Sequence, residues 1–258
     1  WSDLIGLIDV INNTASSNLQ SALDTRLNTA TFVKQWAVWN MFSSLDSYMG
    51  SGHNYYIYHD TITDKFQWIS WDNNETFGSF KNGLTTTQLM NMDMYYISTP
   101  ASRPLCNNML NSPSYKSLYN SAYCELKQDF THAYFDSKID SIKNVIQSSV
   151  YADPKKFYSN NSFDSSIQYD INITGPGGIA VFGLKSFITA RNTAINSSFA
   201  SNAVICWPNE IEDVHEKELT VEIVPNPVLD QINISSNKQL QSIRITDIAG
   251  HIVYFVDN

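Results

Sequence analysis

Acids and amides that could handle phosphate or metal concentrate between Leu45 and Gly78. Asp46 lies in Leu45-Asp46-Ser47-Tyr48. His53-Asn54 opens the run Tyr55-Tyr56-Ile57-Tyr58. Trp71-Asp72-Asn73-Asn74-Glu75 precedes Phe77-Gly78. Two carboxylates and an amide oxygen are hard ligands, suited to Mg²⁺ bound together with a phosphate. Phosphoryl transfer uses such a clamp, plus a carboxylate that orients the attacking hydroxyl. The order of acid, Asn and later acid parallels that of protein kinases. The eight-residue step from Asp46 to Asn54 is longer than the spacing of the ordinary kinase catalytic loop, which excludes an orthodox kinase. Each residue also has an ordinary structural role. Asp and Asn cap helices and close turns by bonding local backbone, and His53 alone reads as a hydrogen-bonded structural histidine.

The elements around these residues explain how they would meet. Phe32, Val33, Trp36, Trp39, Phe42 and Leu45 recur at helical spacing, so Asp46 is expected at a helix end, before the breaker Gly50-Ser51-Gly52. Asn54–Tyr58 and Lys65–Trp71 are aromatic, β-branched runs joined by Thr61-Ile62-Thr63-Asp64, which predicts a hairpin. A hairpin brings its two ends together, so Asn54 and Asp72 should be neighbours. The short Gly-containing turn lets Asp46 face the same pocket.

Helical periodicity also covers Leu4–Ile11, Leu105–Leu110, the segment from Pro113 to Leu126, Phe135–Val150 and Leu184–Phe199, the last carrying Arg191. Phe77–Arg103 reads as a long loop with one helical turn. Gly175-Pro176-Gly177-Gly178 with Lys185-Ser186 approaches a phosphate-binding loop, but the Lys does not follow the Gly directly, so it reads as a turn before a helix. Trp207-Pro208-Asn209 and the acidic run to Glu218 read as a linker. Beyond it the pattern changes to period two through Leu219, Val221 and Ile223, then Ile232 and Ile234, then Ile243 and Ile245, then Ile252 and Tyr254. That predicts about four short strands, marginal as an isolated sheet.

The chain has 258 residues, 43% hydrophobic and 16% charged, which supports a sizeable core and excludes disorder. A net charge of −9 and a pI near 4.9 argue against nucleic acid as a partner, since phosphate backbones need clustered Lys and Arg. No run of about 18 apolar residues is present to span a membrane. The sequence opens at Trp1-Ser2-Asp3 with no leader, so a signal peptide is expected to be removed or not included. Three Cys allow one bridge at most. Cys106 and Cys124, on neighbouring helical segments, could pair and leave Cys206 over; three buried thiols is the plainer expectation.

Leu45 through Gly78 resembles the spore-coat CotH kinase family, whose members are similar to atypical protein kinases. The carrying residues are Asp46, His53-Asn54-Tyr55, Trp71-Asp72 and Phe77-Gly78, with Arg103-Pro104-Leu105, Asp153-Pro154 and Leu184-Lys185-Ser186-Phe187-Ile188 following in the family's order. The likeness extends over about residues 1–203. It implies a catalytic acid at Asp46, cofactor contacts from His53 and Asn54, and Mg²⁺ held by Asp72 and Asn54. Many members carry an acid where this chain has Asn74, which implies a weaker amide ligand there. Activity would require ATP, Mg²⁺ and a protein substrate. The N-lobe lysine and the nucleotide-covering loop of kinases have no counterpart before Asp46, where the only basic residues are Arg26 and Lys34. The expectation is therefore a fragment that lacks half the nucleotide cleft, binds nucleotide poorly and is inactive alone, with kinase activity belonging to the full-length protein.

Val224-Pro225-Asn226-Pro227-Val228 and Ile243-Arg244-Ile245-Thr246-Asp247-Ile248-Ala249-Gly250 resemble the type IX secretion sorting domain of Bacteroidetes. That resemblance implies the type IX machinery as a partner and a secreted or cell-surface location. The combined expectation is an α+β chain. A mainly helical kinase-like C-lobe with a hairpin spans 1–203, a linker 204–217, and a truncated all-β sandwich 218–258. The competing expectation is a non-catalytic adhesion protein built on the same fold.

Overall fold

The computed structural model describes residues 1–173, 179–206, 221–224, 230–231, 233–236, 240, 242–247 and 252–257. The chain divides into two compact units, Trp1–Cys206 and Trp207–Asn258. Helices and small antiparallel sheets make it α+β. Among the described residues, no helix is long and apolar enough to cross a membrane.

The first unit begins with α1 (Ser2–Asn13), α2 (Leu19–Leu23) and α3 (Thr29–Met41), the last capped by the Asn28 side chain accepting from Thr31 N–H. A hairpin of β1 (Tyr55–Asp60) and β2 (Lys65–Ser70) follows, with Tyr55 opposite Ser70 and Ile57 opposite Trp68. Then come α4 (Thr86–Met90), α5 (Pro104–Leu110), α6 (Pro113–Asp129), α7 (His132–Ala152) and α8 (Asn160–Gln168). The unit closes with a short pair, β3 (Ile171–Ile173) and β4 (Ile179–Val181), and with α9 (Leu184–Ser201).

α3 is the spine of this unit. One side of it meets the inner face of the hairpin, where Phe32 packs 4.8 Å from Trp68 and Tyr55 stacks on Trp68 at 4.3 Å. Its other side meets α6, where Trp36 lies 4.3 Å from Tyr119. On α6, Tyr115, Tyr119 and Tyr123 form a buried stripe at four-residue steps. A buried phenol needs a hydrogen-bond partner. Their hydroxyls donate to Asp24 Oδ1, Met94 O and Asn40 Oδ1, at 2.7, 2.6 and 2.9 Å.

α9 completes the core through Phe187, Ile188, Ala194 and Ile195, and adds a charge to the same apolar stripe. Arg191 is fully buried. Its guanidinium donates to Met41 O and Asn40 O at the end of α3, and to Met90 O and Met92 O after α4, at 2.9 to 3.3 Å. Carbonyls at a helix C-terminus carry partial negative charge and attract cations, so this arginine both serves carbonyls there and neutralises that end.

The single disulfide among the described residues is Cys124–Cys206, and Cys106 is a buried free thiol. Both sequence expectations, a Cys106–Cys124 bridge or three free thiols, are corrected. Phe199 of α9 packs on Tyr123 of α6 at 5.6 Å, which carries the end of α9 to Cys124. Cys106 instead points into the core of α5, where burial pushes its thiol pKa well up. A second correction concerns α3, which stops at Met41, so Asp46 lies in the following turn and not at the helix end.

In the second unit, β5 (Val221–Val224) pairs with β6 (Asn233–Ser236), and β7 (Ser242–Thr246) pairs with β8 (Ile252–Asp257), as two separate antiparallel sheets. Ile234 of β6 shares a cleft with Ile243, Ile245, Tyr254 and Val256. Period-two alternation thus marked strands correctly. The glycine turn at 175–178, the linker from Trp207 to Glu218 and the turns at 225–227 and 249–250 lie outside the described residues.

Candidate functional site

The path to the site starts where α3 ends. Ser43 takes a left-handed conformation (φ 47°). Ser43 N–H donates to Asn40 O at 3.0 Å and Ser44 N–H to Trp39 O at 2.8 Å. This is a Schellman ending with Ser where Gly is usual. The arginine clamp from α9 grips the same carbonyl end, so the segment leading to Asp46 leaves a fixed point.

From Leu45 the chain doubles back tightly. Ser51 N–H donates to Leu45 O at 2.7 Å and Gly52 N–H to Ser47 O at 2.9 Å. A Cβ on Gly50 would lie 1.9 Å from Leu45 O, so only glycine fits there. Gly52 has φ +82°, and Arg103 crosses it to donate from Nη2 to Gly50 O at 2.7 Å. Tyr48, in the same turn, accepts from Leu105 N–H, and burial raises its pKa.

This double-back delivers Asn54 to Asp46. Asn54 Nδ2 donates to Asp46 Oδ2 at 2.6 Å and to Asp46 O at 3.1 Å. Ser51 Oγ donates to Asp46 Oδ1 at 2.9 Å. Both carboxylate oxygens of Asp46 are therefore oriented by neutral donors, and the group is partly buried. Because the Asn54 amide turns its nitrogen toward Asp46, its oxygen is left for another partner.

Trp71 N–H donates to Asn54 O at 3.0 Å, which closes the open end of the hairpin and sets Asp72 one residue beyond that pair. Asn54 and Asp72 both adopt left-handed backbone, φ 59° and 52°. Asn and Asp tolerate that region better than other side chains, and such conformations gather at functional sites. Asp72 is exposed and makes no hydrogen bond or ion pair among the described residues. His53 and Asn74 are likewise exposed and uncommitted.

The structure thus brings Asp46 and Asn54 into direct contact and puts Asp72 at the same hairpin mouth. Among the described residues, no hydrogen bond or ion pair joins the side chain of His53 or Asn74 to any of the three. Among the described residues, no three His, Cys, Asp or Glu side chains gather closely enough to hold a metal. A cation here would rest on at most two acids together with amide oxygens. That all-oxygen donor set, with one carboxylate uncommitted, has the chemistry of a hard divalent-cation site.

A cavity of about 340 Å³ lies beside Asn73, walled by Val38, Trp39, Phe42, Phe77 and Phe135. Trp39 Nε1 donates to Ser70 Oγ, and Ser70 Oγ to Asn73 Oδ1, which ties the loop after Asp72 to α3.

Three positioning residues escaped the sequence reading. Ser51 was visible only as part of a helix breaker. Arg103 appeared as a family landmark without a role. Arg191 did leave a signal, since a charge on the stripe of Phe187, Ile188, Ala194 and Ile195 must be buried with partners.

Comparison with known proteins follows the same division of the chain. No curated protein matches it. Residues 222–258 match a secretion system C-terminal sorting domain, which points to export through the type IX machinery. A family model described as CotH kinase protein matches residues 1–174, two thirds of the chain and all of the candidate site. The chain belongs to the CotH kinase protein family.

Proposed function

We propose that this chain is the exported part of an atypical kinase that transfers phosphate from ATP to a protein hydroxyl. The observation that carries the proposal is the 2.6 Å contact between Asn54 Nδ2 and Asp46 Oδ2 at a hairpin mouth that also presents the uncommitted Asp72. Asp46, oriented through both oxygens, accepts the hydrogen bond of the acceptor hydroxyl and aims its oxygen at phosphorus. Asn54 holds Asp46 in that rotamer. Asp72, the Asn54 amide oxygen and the Asn74 side chain are the groups that would hold Mg²⁺, and His53 stands beside the nucleotide. When bound, the ion would offset the negative charge of the phosphates. With Asn74 in place of an acid, the site carries less negative charge and should demand a higher Mg²⁺ concentration.

In this reading the helical unit is the kinase-like C-lobe and the tail is a sorting module of a Bacteroidetes protein, released or held at the surface. A thermal-shift titration of the full chain tests the binding half. Mg²⁺ with ATP should raise the melting temperature, and Asp72→Ala should abolish the rise. A shift that survives Asp72→Ala would remove Asp72 from the site.

A second reading, a non-catalytic adhesion module, is favoured by one observation. The outer face of the hairpin leaves Tyr56, Tyr58, Ile69 and Trp71 exposed. Under that reading, Tyr56→Ser with Trp71→Ser abolishes surface retention, and Asp46→Ala leaves it intact.

A further inference from the structure

α7 is 21 residues long, yet Ile139 is its only buried residue. Ile142 and Ile146 are 61% and 41% exposed. Apolar side chains left in water at neighbouring positions mark a binding surface more often than chance. These two border a cavity of about 430 Å³ between α7, α8 and β4, walled also by Ile139, Phe163, Ile167 and Phe182. That volume falls in the range of roughly 300–1,000 Å³ typical of small-molecule pockets.

The polar part of the lining is small and of one sign. It consists of Ser166, whose hydroxyl donates to Phe163 O, together with Lys138 and Lys143. Lys143 is paired with Asp164 at 3.1 Å. Lys138 has no carboxylate partner among the described residues; its ammonium sits 4.6 Å over the Tyr134 ring. The acids on the far flank of α7, Asp136 and Asp140, are turned to Lys185 at 3.8 and 3.1 Å. A chain of net charge −9 therefore faces this cavity with cations alone.

We propose that this cavity binds a long-chain fatty carboxylate, its hydrocarbon against the phenylalanine and isoleucine walls and its carboxylate on Lys138. A sugar or polyphosphate would leave its many polar groups unpaired on such walls. An uncharged hydrocarbon would leave Lys138 without a counter-ion. Lys138 lines the cavity while its ammonium rests over the Tyr134 ring, and a long flexible stem of this kind can carry the charge to a carboxylate at the cavity. This inference is independent of the phosphotransfer reading.

The test is fluorescence titration of the full chain with cis-parinaric acid, below its aggregation threshold, followed by displacement with palmitate or hexadecanol. The expected result is saturable binding of one probe per chain. Palmitate should displace the probe at least about tenfold better than hexadecanol, a difference of about 1.4 kcal/mol. Lys138→Glu and Ile142→Glu lie at exposed positions and should each weaken binding about tenfold or more. Ile62→Glu, 93% exposed in the hairpin turn, should leave it unchanged. Absent saturation, equal displacement by hexadecanol, or unchanged affinity in both glutamate variants would overturn the proposal. So would a concentration-dependent dimer, seen by sedimentation, that Ile142→Glu dissolves, because the occupant would then be a second copy.

Discussion

Gly50→Ala isolates the backbone that builds the site without touching any reacting group. The new Cβ would lie 1.9 Å from Leu45 O and 2.6 Å from Leu45 C and Cα, all backbone atoms that cannot swing aside. The turn must open. Opening it breaks the bond from Ser51 N–H to Leu45 O at 2.7 Å and the bond from Gly50 N–H to Ser47 O at 3.1 Å. It also displaces the Gly50 carbonyl from Arg103, a contact of 2.7 Å. Two neutral bonds at about 1 kcal/mol each and one charge-assisted bond at about 1.5–3 kcal/mol sum to a cost of about 3–5 kcal/mol. Gly83→Ala is the matched control. Gly83 has φ +83° and nothing within 4 Å of the added Cβ, so it pays only the left-handed penalty of about 1–2 kcal/mol. Urea denaturation of both variants, followed by tryptophan fluorescence, gives the comparison. If Gly50→Ala costs no more than Gly83→Ala, the turn does not have the rigidity assigned to it, and Asp46 is not held as described.

Three further outcomes follow from the core. Arg191→Met should destabilise the chain by about 3–5 kcal/mol in the same assay, since four buried carbonyl contacts lose their charged donor; a cost below about 1 kcal/mol would show that the clamp is dispensable. Reduction with dithiothreitol should lower stability by about 2–4 kcal/mol, and a non-reducing digest should yield a linked peptide containing Cys124 and Cys206 with Cys106 unmodified by an alkylator in the folded state; a linked Cys106 peptide would contradict the pairing. Burial holds the Tyr48, Tyr115, Tyr119 and Tyr123 hydroxyls above their ordinary pKa. The stability they contribute is present below the unfolded pKa of about 10 and is lost as pH rises above it, because only the unfolded chain ionises freely. Absorbance at 295 nm should therefore show at least four of the fourteen tyrosines titrating only together with unfolding; reversible titration of all fourteen in a folded chain would refute the burial argument.

The hairpin was legible because its signals are local. Aromatic alternation on both sides of Thr61–Asp64 marks the strands, and a hairpin necessarily joins its ends, so the pattern alone puts Asn54 and Asp72 together. The turn between Asp46 and Asn54 was half legible. Two glycines announced a break, but the reason Gly50 must be glycine is a backbone carbonyl five residues earlier. The disulfide was misread because its logic is tertiary. Cys206 reaches Cys124 only after α9 has packed along α6, and neighbouring helices in sequence gave no hint of that. α8 and the β3–β4 pair were missed for a different reason: Asn160–Gln168 is polar, with no side chain fully buried, and three-residue strands carry too little alternation to register.

The central claim is that Asp46 and Asp72 act on a phosphate at this hairpin mouth. The most direct measurement is transfer of labelled γ-phosphate from ATP, with Mg²⁺ present, by the full-length protein, its Asp46→Ala variant and its Asp72→Ala variant. Melting temperatures of all three should be recorded alongside. The account predicts incorporation by the parent protein and a fall of about 10²-fold or more in each variant, with both variants folded at the assay temperature and the melting temperature of Asp72→Ala, whose side chain is exposed, unchanged. Incorporation that persists at the parent rate in both folded variants, or that is absent from the parent protein itself, would contradict it.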